Sequence, residues 1–319
     1  MDNSPTPLRI GVSSCLLGRP VRYDGGHKHD RWITDVLGPH VAFVPVCPEL
    51  ECGLGVPREA MHLAGDPAAP RLVTIRSGQD FTDRMLEFSR RRVEELAAED
   101  LCGFIFKSDS PSSGMERVKV YGAAGSSPLK RGVGLFARTF MERFPLIPVE
   151  EEGRLHDPGL RENFIESIFT LRRWRDFRRA PTAAGWIAFH AAHKYLLMAH
   201  SPVLLRQLGR LVAAPPRRAL EAALAPYEEL LLAALRTKPT PSKHANVLLH
   251  LLGYFKTDLT PDEKAELVEV IDHYRAGHLP LIVPVTLLRH HVRLHHKAYL
   301  ADQVYLDPHP VELALRNHV

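Results

Sequence analysis

An α/β domain, with a mostly parallel sheet flanked by helices, followed by an all-α domain is the architecture this sequence predicts. Two observations predict it. Up to about residue 155, short β-branched runs alternate with amphipathic segments, as when parallel strands are joined by helices. Beyond that point every apolar pattern recurs at three- and four-residue spacing, the mark of helices alone.

The elements follow in order. LRIGVSS, residues 8–14, reads as a strand, and the Gly- and charge-rich stretch 18–31 as a loop. VAFVPV, 41–46, is a buried strand by its β-branched content. Residues 80–100 have helical spacing, LCGFIFK at 101–107 reads as a second buried strand, 130–144 as a helix, and PLIPVEE at 145–151 as a further strand. The helical half begins with the basic segment 160–180. It continues through 186–200, 203–214, 217–236, 244–255, 262–277 and 284–303, with Thr260-Pro261-Asp262 and Ala276-Gly277 as start and stop signals of one helix. The expected division is residues 1–155, a basic helical linker at 156–180, and residues 181–319.

The 319 residues suffice for two domains, and 45% apolar with 24% charged residues is the composition of a water-soluble globular chain. No apolar run reaches the ~18 residues that span a bilayer, and the N-terminus lacks a basic then apolar leader pattern, so a cytoplasmic location without membrane attachment is expected. There four cysteines are thiols, metal ligands or core residues rather than disulfides. A net charge of +4 is compatible with nucleic-acid binding only where the cations cluster.

Three loops carry the candidate chemistry, each directly after a strand, where open α/β sheets gather ligands. They are Ser13 to Gly18 leading to Arg22-Tyr23-Asp24-Gly25-Gly26, Val46-Cys47-Pro48-Glu49 running on to Arg58, and Lys107 to Gly114. On spacing alone Cys15 and Cys47 read as buried small residues as readily as ligands. Cys47-x4-Cys52 is not zinc-ribbon or redox spacing, and Cys102 inside a strand is explained by packing. Glu49 is an exposed carboxylate or, with apolar neighbours favouring its protonated form, a catalytic proton donor.

These loops resemble the thiouracil desulfidase (TudS-like) family, whose pattern is S-x-C-L-L-G, R-Y-D-G-G, V-C-P-E and S-P-S-C-G. The segments FHAAHKYLLMAHSP, HANVLLHLLGYFK, PLIVPVTLLRHH and VYLDPHPVELALRNHV resemble the helical domain fused to it in two-domain tRNA 4-thiouridine desulfidases (RudS type). The resemblance implies a [4Fe-4S] cluster on three cysteines with one iron open to the substrate sulfur, and tRNA carrying 4-thiouridine, or a free thiolated pyrimidine, as partner. Carried over, Cys15 and Cys47 are ligands, Glu49 and Ser110 catalytic, and Ser14, Arg22, Tyr23, Asp24 and Ser108 substrate-binding. The third ligand position reads Ser113, not Cys. A hydroxyl ionises far less readily than a thiol and holds iron–sulfur clusters poorly. A substituted variant, a lost cluster, or replacement by Cys52 would each account for it.

In the helical half, His190, His193 and His200 read as structural histidines before a metal site. Arg172, Arg173, Arg175, Lys194, Lys243, Lys256, Arg289 and Arg293 are candidate RNA contacts beside Trp174, Phe177, Tyr254 and Phe255, the alternative being a solvated basic face.

Overall fold

The computed structural model describes residues 7–122, 127–213 and 220–318. The chain divides into two compact units between Asp157 and Pro158.

In the first unit, strands β1 (Arg9–Ser13) and β2 (Ala42–Val46) are followed by a one-turn helix, α1 (Pro48–Glu51). Strands β3 (Met61–Ala64) and β4 (Arg71–Thr74), helix α2 (Thr82–Ala97) and strand β5 (Leu101–Phe106) come next. Strands β6 (Val118–Tyr121) and β7 (Leu129–Gly132), helix α3 (Leu135–Arg143) and strand β8 (Val149–Glu151) complete it. One sheet has the order β2-β1-β5-β8, and every neighbouring pair in it is parallel. This is the sheet expected from the apolar runs. A second sheet, β4-β3-β6-β7, pairs β3 with β6 in parallel and is antiparallel at both outer pairs. Residues 130–132, expected to open a helix, belong to its edge strand β7, and the helix starts only at Leu135.

The core explains the strand residues. Phe104 and Phe106 stack at 4.2 Å between centroids and meet Phe136 and Phe140 of α3. A β-carbon on Gly11, opposite Phe104 in the sheet, would sit 2.1 Å from its ring, so this strand position must be glycine. Helix α2 turns Met85, Phe88, Val93 and Leu96 inward at helical spacing.

The second unit is helical among its described residues. It comprises α4 (Pro158–Arg178), α5 (Ala183–His200), α6 (Pro202–Ala213), α7 (Leu220–Leu235), α8 (Pro241–Leu252), α9 (Pro261–Arg275), α10 (Ile282–Leu294) and the short α11 (Ala298–Ala301). Thr260 and Glu263 form a reciprocal capping box at the start of α9, where the sequence signals a helix start. Most of the segment expected as a basic linker is α4 itself. It belongs to this unit, burying Ile165, Ile168, Leu171 and Trp174. At the centre Arg316 donates to Glu162 (3.1 Å) and Glu166 (2.8 Å), and His200 bridges Glu166 and the Thr237 carbonyl. No described helix is long and apolar enough to cross a membrane.

Candidate active site

Strands β2, β1 and β5 are adjacent and parallel, so the three loops at their carboxyl ends meet at one edge of the sheet. There they line a cavity of about 390 Å³. Cys15 enters it from the tight turn Ser14–Leu17, which Gly18 closes at a φ of 81°. Cys47 enters as the residue capping α1, its N–H donating to Glu51 at 2.6 Å. Ser108, Ser110 and Ser113 enter from the third loop, together with Ser14, Arg22, Tyr23 and Glu49. Of the residues expected at the site, Asp24 alone is absent from the lining. Its carboxylate accepts from the Gly26 N–H at 3.0 Å and closes the surface turn instead.

Burial, with Cys47 adding to it, pushes the Cys15 thiol up to about 11. Burial also raises Cys47. Lys107 and Arg22 near Cys15, and Arg58 near Cys47, oppose the rise but do not overcome burial, so both are thiols that an iron group would draw to thiolates. Cys52 is elsewhere: it packs among Val44, Val46 and Met85, with its Sγ 3.3 Å from the Glu49 carbonyl oxygen, and does not line the cavity. That geometry removes Cys52 as a substitute ligand. Ser113 occupies the third position, 4% exposed, and no described hydrogen bond engages its hydroxyl. Two thiols and one hydroxyl thus line the cavity where the family's pattern has three cysteines, and the hydroxyl is the poorest iron ligand of the three.

Glu49 does not have the apolar surroundings expected of it. Arg58 grips its Oε2 through both Nε, at 2.9 Å, and Nη2, while the Ser112 hydroxyl donates to Oε1 at 2.9 Å. Arg58 also donates to the Val21 and Gly55 carbonyls, and its backbone N–H to that of Tyr23, which ties the first two loops together. Neither Arg58 nor Ser112 was assigned a role from the sequence. Ser112 lies inside the S-P-S motif and was findable there. Arg58 carries no spacing signal, because the irregular stretch with Gly53, Gly55 and Pro57 separates it from Glu49.

Ser108 and Ser110 are chemically distinct. The Ser108 hydroxyl accepts from Lys107 Nζ at 2.9 Å and donates to Glu152 Oε1 at 2.7 Å, and its N–H donates to Glu152 as well. Lys107 spends its three N–H bonds on Ser108 Oγ, the Ser108 carbonyl and Glu152. This cluster braces the loop, whereas the Ser110 hydroxyl, at the cavity wall, accepts the N–H groups of Ser113 at 3.1 Å and Ser112 at 3.4 Å and pairs with the Ser112 hydroxyl at 3.1 Å.

The model of the 2-thiouracil desulfurase family matches residues 10–152, which include every loop lining this cavity. The chain belongs to the 2-thiouracil desulfurase family. Residues 194–310, outside the desulfurase domain, match a family of unknown function, DUF1722. The uncharacterized protein YbgA of Escherichia coli (strain K12) is 31% identical over 137 residues, 43% of this chain and 81% of that protein. The uncharacterized protein YbbK of Bacillus subtilis (strain 168) is 32% identical over 110 residues, 33% of this chain and 72% of that protein. A solved [4Fe-4S]-dependent thiouracil desulfidase, TudS, is 30% identical, with 47% of this chain and 94% of that chain covered at a TM-score of 0.39.

The candidate RNA contacts beyond the desulfurase domain divide by burial. Arg172 is buried and paired with Asp176, Arg173 donates to the Pro308 carbonyl, and Lys243 donates to the His200 carbonyl at 2.7 Å. Arg289 lies 3.5 Å from Asp307. Arg175 is half-buried, and Lys194 lies over the Tyr195 ring. Lys256 and Arg293 are exposed. Trp174 and Phe255 are fully buried and present no face to a base, while Tyr254 is 41% exposed and stacks on Tyr299. His193 is buried with its Nδ1 donating to the Phe189 carbonyl, as the structural reading expects. Among the described residues no group of three or more His, Cys, Asp and Glu side chains could hold a metal ion.

Proposed function

We propose that this chain removes the sulfur of a thiolated uracil by hydrolysis, and that its substrate is 4-thiouridine in tRNA. One observation carries the reading: Cys15, Cys47, Glu49, Ser110 and Ser113, from three separate loops of the desulfurase domain, line a single cavity. At about 390 Å³ the cavity suits one pyrimidine ring, so a base embedded in folded RNA has to be extruded to enter it. Cys15 and Cys47 would hold a [4Fe-4S] cluster, with Ser113 at the third corner, and its relative TudS supports that choice of cofactor. When bound, the cluster supplies an open iron that accepts the soft sulfur and polarises the C=S bond.

The chain's own residues supply the rest. Arg22 and Tyr23, at the cavity wall, orient the base. Ser110 lies against the base at the cavity wall, and Glu49 takes a proton from the attacking water and later returns it to the departing sulfide. In the helical unit Lys256 and Arg293, with Arg175, Lys194 and Arg289, are the cations for the RNA backbone.

Ser113 favours a second reading, an RNA-binding protein that holds no cluster. Anaerobic reconstitution with iron and sulfide, of this chain beside its Ser113→Cys variant, separates the two. Iron content and visible thiolate–iron absorption are measured first, then turnover on thiolated RNA and on free 4-thiouracil. Iron bound by the cysteine variant, with turnover, supports the desulfidase. Iron bound by neither protein moves RNA binding to first place.

A further inference from the structure

Arg22, Lys28, Arg58 and Lys107 are the lysines and arginines among the described residues lining the cavity. Arg58 and Lys107 are spent on the protein itself. Arg58 holds Glu49 Oε2 together with the Val21 and Gly55 carbonyls, and Lys107 gives its three N–H bonds to Ser108 and Glu152. Arg22 lies 5.4 Å from the centre of the Tyr23 ring and 3.8 Å from Asp24. Lys28 differs from all three. Its backbone is fixed, the N–H donating to the Cys15 carbonyl at 2.9 Å, while its side chain is exposed and no described hydrogen bond or ion pair engages the ammonium. Asp24, which lies in its field, is turned to the Gly26 N–H.

The remainder of the lining adds two features. Ile75, just past β4, borders the cavity although it is 58% exposed, an apolar side chain left in water at the mouth. Asp109, exposed on the third loop, is a carboxylate of the lining with no described partner, so the first loop is positive where the third is negative. Free uracil is uncharged and small enough to lie inside a cavity of about 390 Å³, and calls for neither feature. A nucleotide does, because its sugar and phosphate stay at the mouth when its base is inside.

We infer that Lys28 binds the phosphate next to the thiolated nucleoside, so that the site takes a nucleotide unit in preference to a free base. Ile75 covers the sugar, and Asp109 keeps the phosphate on the Lys28 side by repulsion. An ammonium on a flexible stem suits the task, since it meets a phosphate as a point charge without demanding one orientation. The inference rests on the desulfidase reading and names for it a specificity residue that meets the substrate away from the reacting carbon.

Calorimetric affinity of the full chain for uracil, uridine, uridine 5′-monophosphate and uridine 3′-monophosphate tests it without turnover. One of the two monophosphates binds about tenfold more tightly than uridine, the scale of one hydrogen bond to a charged group near the surface. Which one does so identifies the side of the nucleoside on which the phosphate is read. Lys28→Met abolishes that gain without weakening uridine or uracil, and Lys28→Arg keeps most of it. Added salt shrinks the gain, as an exposed ammonium requires. Ile75→Ser weakens uridine about threefold more than uracil, the scale of one half-covered apolar side chain. Monophosphates that bind no better than uridine overturn the inference, as does a gain that survives Lys28→Met, and equal weakening of uridine and uracil by Ile75→Ser overturns the sugar contact. A gain that depends on Lys28, with no turnover of any thiolated pyrimidine by the reconstituted chain or its Ser113→Cys variant, overturns the desulfidase reading instead. A chain that binds none of these ligands overturns both.

Discussion

The Arg58 guanidinium closes on the Glu49 carboxylate with Nε 2.9 Å from Oε2, the two side chains 7% and 14% exposed. This pair joins the loop after β2 to the turn at Val21–Tyr23, and so helps set the width of the cavity. Removing one partner leaves a mostly buried charge without its counter-ion, a cost of about 3 kcal/mol. Arg58→Ala should therefore lower the chemical-denaturation midpoint of the first unit, followed through Trp32, the tryptophan of that unit. Arg58→Ala combined with Glu49→Gln should recover part of the loss. Equal midpoints for the single and double variants would show that the charge is solvated and the pair dispensable.

Gly134 fixes the serine loop from behind. Its φ of −59° is ordinary for any residue, so the requirement is steric: a β-carbon there would lie 2.5 Å from the Ser112 carbonyl carbon and 2.7 Å from the Ser113 nitrogen. These are backbone atoms that cannot rotate aside, so Gly134→Ala has to move Ser112 and Ser113 bodily. Displacement of this order at a reacting centre costs about a hundredfold in rate. Turnover on free 4-thiouracil should fall by that much while far-ultraviolet dichroism stays unchanged. Native turnover in the variant would mean that the loop is not held in place by this contact.

How much of this was legible in the sequence depends on strand length and surroundings. The buried runs at β1, β2 and β5 announce themselves through continuous apolar content, as strands covered on both faces do. β3, β4, β6 and β7 have four residues each, with patterns such as VKVY that alternate buried and exposed side chains, too short to separate from loop. Helical spacing in 130–144 concealed the strand at its start, because the pairing of β7 with β6 is a long-range event. The cysteines, Glu49 and Ser110 were readable from their motifs. Arg58 was not, since its role exists only once the chain has folded back on Glu49. The arginines of α4 looked like a surface patch because sequence shows charge but not burial, and Arg172 and Arg173 are engaged inside the helical unit.

Cys52 offers a direct test of the ligand set. It contacts core residues and the Glu49 carbonyl rather than the cavity, so Cys52→Ala should leave the iron bound per chain after reconstitution unchanged. Cys15→Ala and Cys47→Ala should each abolish it, because each removes one of the two thiols that line the cavity. Loss of iron in Cys52→Ala alone would require the loop after α1 to rearrange when iron binds.

The helical unit should lose stability in mild acid. His193 and His244 are both held down to about 3, by burial first. In the unfolded chain each titrates near ~6.5. Between these values the unfolded state binds protons that the folded state refuses, so stability is complete above ~6.5 and declines as pH falls toward 3. Glu162, pushed up to about 7 by burial and by Glu166, acts in the opposite sense below neutrality, but it is one group against these two, and burial lowers His190, His291 and His309 as well. The net loss between pH 7 and pH 5 is about 1–2 kcal/mol, which lowers the thermal midpoint of the unit by a few degrees. Thermal unfolding of the full chain at constant ionic strength, followed through Trp174 and Trp186, measures it. His193→Asn should flatten the dependence even if it lowers the midpoint at pH 7, because the asparagine takes up no proton on unfolding. A midpoint that holds steady from pH 7 to pH 5 in the native chain would mean that both imidazoles accept protons without unfolding.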